Sequence, residues 1–207
     1  MHLLTDARAL GEHVDGIGRY SLGVLRALPE LRPAWKLSVI ASSAGKVHLE
    51  DIPADVVVSD VPRFRPSEHR RLFPLIEAAA PDCYLNFSMA GPMPRVPTVL
   101  TVHDIMVLTV PGYFGRSTLR NLLARPLFRR RLKRSLFRAD SVAVPSRYSL
   151  DELASVFPGS AGKAFVTREG QDLFPVPPDG NGSREDYILY VGNARAYKNV
   201  TRLVVAY

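Results

Sequence analysis

Cysteine is almost missing from this chain: Cys83 stands alone among 207 residues. No disulfide can close within the sequence, so its core must rest on burial alone. Cys83 opens an apolar run (Tyr84-Leu85 follows) and reads as a small core residue rather than a reactive thiol. The expected compartment is the reducing cytoplasm. Long hydrophobic runs are missing too. No stretch approaches the about 18 consecutive apolar residues that suggest a membrane span, and MHLLTDARAL lacks the basic and apolar regions of a secretory signal. The N-x-S/T triplets at Asn86, Asn181 and Asn199 are therefore read as chance matches. There is no G-x-S-x-G elbow, and Ser146 and Ser149 open a helix where capping is their default role, which argues against a Ser-His-Asp hydrolase. His2, His13, His48 and His69 show no ligand spacing with His103, so no metal is expected.

Acid is absent from one long segment. The chain has a formal net charge of +7, and from Arg116 to Arg138 it reads RSTLRNLLARPLFRRRLKRSLFR, with the cations Arg129, Arg130, Arg131, Lys133 and Arg134 at its centre. Such a block points to an anionic partner. Leu119, Leu122, Leu123, Leu127, Leu132 and Leu136 recur within it at helical spacing. Two readings stay open. In one, an amphipathic basic helix faces an acceptor or lies on an anionic membrane surface, making the protein peripheral on the inner face of a membrane. In the other, the leucines pack inward and the arginines are simply solvated. The arginines are not interleaved with aromatics, so nucleic acid is not an expected partner.

Short apolar runs alternate with helical patterns. Strands are expected at 1–5, 37–41, 55–59, 82–87, 98–102, 141–144 and 164–167, and helices at 19–28, 68–80, 117–137 and 147–157. This order predicts an α/β fold: a Rossmann-like, mainly parallel sheet with helices on both faces. Val99-Leu100-Thr101-Val102 has the continuous apolar character of a strand buried on both sides. Residues 1–174 then form one domain. Residues 175–186, PVPPDGNGSRED, read as a linker, and 187–207 as the first strand and helix of a second domain. A single βα unit cannot bury both faces of its strand, so the rest of that domain is expected to lie beyond Tyr207.

In an open parallel sheet, ligands bind beyond the carboxyl ends of the strands. Two segments are expected there. Gly16-Ile17-Gly18 follows the first strand and precedes the first helix; absent side chains allow close approach, and free N–H groups favour an anion. A plain glycine turn gives the same pattern. Val102-His103-Asp104 ends the most apolar strand, where an imidazole can act on a ligand hydroxyl and the adjacent acid can orient it. A nicotinamide dehydrogenase fits poorly, because the third glycine and the later ribose-binding acid are missing.

Five segments in this order, Thr5-Asp6-Ala7-Arg8, Gly16-Ile17-Gly18-Arg19-Tyr20, Thr101-Val102-His103-Asp104, Val144-Pro145-Ser146-Arg147-Tyr148-Ser149 with Asp151-Glu152-Leu153, and Tyr190-Val191-Gly192 with Lys198-Asn199, resemble the retaining glycosyltransferases of family 4. The resemblance implies the N-terminal half of a GT-B fold, with an acceptor-side domain, a donor-side domain and a site in the cleft between them. It implies a hexosyl transfer, mannosyl among the candidates, from a nucleotide sugar to a saccharide or lipid-linked acceptor, as in polysaccharide assembly. No metal or other cofactor is implied. Carried over, Gly16, Ile17 and Gly18 approach the donor diphosphate, His103 (with Asp104) contacts the transferred sugar, and Lys198 approaches the leaving group. Asn193 stands where the family often has an arginine, for which Arg195 is the substitute, and Glu169-Gly170-Gln171-Asp172 departs from the usual glycine-valine-aspartate step. The family's paired glutamates would lie beyond Tyr207, so this chain alone is expected to be inactive or very weak.

Overall fold

The structure is a computed structural model that describes residues 1–115, 117–170, 186–192 and 194–207. Its elements follow the order β1 (His2–Asp6), α1 (Gly16–Leu31), β2 (Lys36–Ala41), β3 (Asp55–Val58), α2 (Glu68–Ala79), β4 (Cys83–Asn86), β5 (Thr98–Thr101), α3 (Met106–Thr109), α4 (Thr118–Arg138), β6 (Ser141–Val144), α5 (Arg147–Val156), β7 (Ala164–Val166) and α6 (Val200–Ala206). The seven strands form one sheet in the order β3-β2-β1-β4-β5-β6-β7, and each pairing is parallel. This is the Rossmann-like α/β arrangement predicted from the alternation of apolar runs and helical patterns.

The alternation of side chains along a strand distributes the core. Leu3 joins Leu22 and Leu25 of α1 and Leu37 and Val39 of β2 on one face. Its neighbour Leu4 joins Ile40, Tyr84, and Leu72 and Ile76 of α2 on the other. A third cluster seats Leu132 and Leu136 of α4 and Leu153 of α5 against Leu100, Val102, Val142 and Val144. Cys83 is half-buried, and burial pushes its thiol pKa up, as suits an inert residue.

Two expectations are corrected. Helix α1 begins at Gly16, not Arg19, because Asp15 caps it: the carboxylate accepts from the Gly18 N–H at 2.9 Å. The apolar segment 187–192, expected as a strand, pairs with no strand among the described residues; Ile188 and Leu189 are exposed, and Val191 is 84% exposed. A strand needs a neighbour to satisfy its backbone and cover its faces, and none lies beside it among the described residues. The expected linker 175–186 lies outside the described residues except for Asp186.

Candidate active site

The strand order reverses at β1. Its chain successor β2 lies on one side and β4 on the other, so the segments leaving the carboxyl ends of β1 and β4 diverge and open a crevice. A buried ionic cluster floors this edge. Arg8 lays its guanidinium against Asp6 at 2.9 and 2.7 Å, reaches Glu68 Oε1 at 2.8 Å and donates to the Val61 carbonyl at 2.7 Å. Burial alone would lower the Arg8 pKa, but Asp6 and then Glu68 more than offset it, holding the guanidinium above its ordinary range. Glu68 Oε2 accepts from the Phe64 N–H at 2.7 Å and from Arg131 at 3.1 Å. Strand β1, helices α2 and α4 and the 61–64 turn are thus tied to one point. Tyr84 is buried beside it, its phenol 3.4 Å from Asp6, and burial followed by the Asp6 charge pushes its pKa well up.

The pinned turn carries Arg63, which the sequence reading did not single out. Its guanidinium donates to the Ser88 hydroxyl at 3.0 Å, just past β4, and lies 5.5 Å from the Phe64 ring. Burial lowers its pKa, and the charge of Asp6 opposes that shift. No periodicity marks such a residue, because its position depends on a turn held by Glu68 and by Arg8, which is remote in sequence and reaches the turn only in the fold.

Helix α1 brings the glycine segment to His103. Tyr20, in the helix's second turn, stands edge-on to the His103 ring at 4.8 Å between centroids and edge-on to Phe87 at 5.9 Å. His103 Nδ1 lies 3.4 Å from Glu169 Oε1, while Nε2 is buried with no hydrogen-bond partner among the described residues. Asp104 does not orient the imidazole as expected. Its carboxylate accepts from the Met106 N–H at 2.9 Å, because the first turn of α3 has unsatisfied backbone donors within reach. Ser146 caps α5 as predicted, accepting from the Ser149 N–H at 3.0 Å, and Ser149 donates to the His103 carbonyl at 3.3 Å.

The two glycines differ in role. A Cβ on Gly16 would meet nothing within 4 Å, whereas one on Gly18 would press Val14 at 3.1 Å and Leu10 at 3.2 Å. Space is open over Gly16, while the Gly18 N–H is taken by Asp15. The 195–198 segment is linked to the loop after α3: Tyr197 stacks on Tyr113 at 5.7 Å between centroids, and Tyr197, with Tyr113, holds the Arg195 guanidinium pKa above its ordinary value. Lys198 Nζ lies 5.7 Å from the Tyr197 ring centroid.

The basic run divides. Arg130, Lys133 and Arg134 are exposed. Arg129 lies over the Phe157 ring at 5.5 Å. Arg131, grouped with them from sequence as outward-facing, instead turns inward to Glu68, since a buried carboxylate is costly without partners. Among the described residues no His, Cys, Asp and Glu group comes together in a way that would hold a metal ion.

The Glycosyltransferase Family 4 profile matches residues 14–173. Among solved structures, the chain resembles Anabaena Alr3699/HepE, whose structure contains UDP and glucose, with a TM-score of 0.50 and 18% identity; 82% of this chain and 44% of that one are covered. It also resembles Arabidopsis thaliana UGT89C1, complexed with UDP-L-rhamnose, at a TM-score of 0.47 and 12% identity, covering 90% and 55%. The calicheamicin glycosyltransferase CalG4 follows at 0.39 and 15%, covering 75% and 50%. No curated protein matches. The chain thus spans less than half the length of the Anabaena protein.

Proposed function

The chain belongs to glycosyltransferase family 4, and from that premise we propose that it supplies the acceptor-side half of a retaining transferase that moves a hexose from a nucleotide sugar to a saccharide or lipid-linked acceptor. Mannose is the first donor sugar to try. The observation that carries this reading is the meeting of α1 and the end of β5 at the carboxyl edge, where Tyr20 joins the glycine turn to His103.

In this proposal the donor diphosphate lies over Gly16, where no side chain intrudes and the first-turn N–H groups of Gly16 and Ile17 have no acceptor within the helix. Backbone donors stabilise developing charge on the leaving phosphate without reorganising. Asp15 holds the Gly18 N–H and limits the anion to the first two donors. His103 contacts the transferred sugar through Nε2, which has no partner among the described residues. Transfer with retention then runs by front-side attack, the departing phosphate oxygen taking the acceptor's proton, and it needs no protein nucleophile. Lys198 and Arg195 supply cations to the same diphosphate from the donor side, the region that 187–207 begins.

Isothermal titration with several nucleotide sugars tests this reading. The 207-residue chain should bind them weakly, and a version extended through a second domain should bind tightly and transfer sugar. Tight binding by the 207-residue chain alone would overturn a donor site shared across a cleft.

A further inference from the structure

Helix α4 does not bury most of its leucines. Leu132 and Leu136 are 0% and 3% exposed, but Leu119, Leu122, Leu123 and Leu127 are 61–68% exposed. At about 3.6 residues per turn the exposed leucines fall on the same outward side as Arg130, Lys133 and Arg134. The outward face therefore changes along its length: exposed leucines over the first half, and Arg130, Lys133 and Arg134 around the exposed Phe137 over the second. No Asp or Glu occurs anywhere from 117 to 138. The apolar half is anchored to the loop that follows α3, with Arg125 donating to the Val110 carbonyl at 2.8 Å and Asn121 accepting from the Phe114 N–H at 3.1 Å.

We propose that this face of α4 docks on an anionic lipid bilayer, the leucine half entering the acyl boundary and the cationic half lying on the headgroups. A surface with four exposed leucines beside three cations and no acid complements a layer that is apolar within and negative outside. A second copy of the chain complements it poorly. A two-fold contact sets this patch against itself. Placed parallel, the two helices would oppose cation to cation, and placed antiparallel they would bury cations under leucines. The leucine half adjoins the loop beyond His103 and Asp104, so docking brings the carboxyl edge of the sheet near the bilayer.

Co-sedimentation of the 207-residue chain with phosphatidylcholine vesicles, alone or mixed with phosphatidylglycerol, tests the proposal at low and high salt. Binding is expected on the mixed vesicles at low salt, and it should weaken strongly in high salt or on phosphatidylcholine alone. R130Q/K133Q/R134Q should weaken binding roughly a hundredfold, at about fivefold for each cation. L122E/L123E should lose roughly tenfold or more. Both sets replace exposed side chains, and an unchanged melting temperature confirms that the fold is retained. No sedimentation with mixed vesicles at low salt overturns the proposal, as does equal binding to neutral vesicles or indifference to L122E/L123E. A dimer that those glutamates dissociate, without vesicle binding, would assign the face to a second copy instead. Vesicle binding requires no sugar donor, so its failure would leave the proposed transfer reaction standing.

Discussion

The Tyr20 ring meets the His103 imidazole edge-on, at an interplanar angle of 88° and a centroid distance of 4.8 Å. One residue belongs to the helix that carries the glycine turn and the other follows β5, so this contact sets the spacing between two halves of the candidate site. Tyr20→Phe keeps the ring and should preserve transfer in the extended enzyme. Tyr20→Ala should reduce it about tenfold or more, since a small misplacement of a reacting group is costly. It should also shift the His103 ring resonances in NMR spectra. Unchanged resonances would show that Tyr20 does not position His103.

Gly16 and Gly18 should separate binding from folding. Gly16→Leu meets open space within the chain, so its melting temperature should hold while transfer by the extended enzyme is lost. Gly18→Ala presses Val14 and Leu10 and should destabilise the fold by about 1–3 kcal/mol, measured by urea unfolding. Undiminished transfer by Gly16→Leu would return the turn to a helix start with no ligand.

The cluster at Arg8 predicts an asymmetry. Arg8→Met leaves Asp6 and Glu68 buried without their shared cation and should cost about 3–5 kcal/mol. Arg131→Met leaves Glu68 paired with Arg8 and should cost clearly less. Equal losses on chemical denaturation would contradict the idea that Arg8 is the centre of the cluster.

Leucines of the basic helix α4 should behave differently from each other. Leu132 is fully buried in the cluster beneath α4, whereas Leu122 faces solvent. Leu132→Ala should cost about 2–5 kcal/mol, and Leu122→Ala less than about 0.5 kcal/mol, both read from unfolding midpoints.

Tyr84 gives a pH dependence. Its folded pKa is raised well above 10.0 by burial and by Asp6, so its neutral phenol stabilises the fold fully below the unfolded value. As pH rises from about 10 through the folded value, the unfolded chain ionises first and that contribution is lost. Wild-type stability should fall with pH over this range more steeply than that of Tyr84→Phe. Parallel curves would mean that Tyr84 ionises as readily in the fold as outside it.

Much of this architecture was legible along the chain. The strand runs are apolar enough to mark a sheet buried on both faces, and Ser146 was readable as a cap because capping is local chemistry. The misread residues depend on partners that only folding supplies. Asp104 turned to the Met106 N–H, a donor that appears only once α3 forms. Arg131 was indistinguishable in sequence from Arg130, and only the arrival of Glu68 from α2 selects it. Arg63 left no sequence signal because a turn held by Arg8 and Glu68 aims it.

By itself, the sequence determined the α/β class, the places of the seven sheet strands along the chain and the family, since hydrophobic periodicity and motif order are properties of the chain. Tertiary structure alone decided which leucines of the basic helix are covered. Helical spacing places a residue on a face, but burial depends on whether another element packs there, and the first half of α4 has no such cover among the described residues.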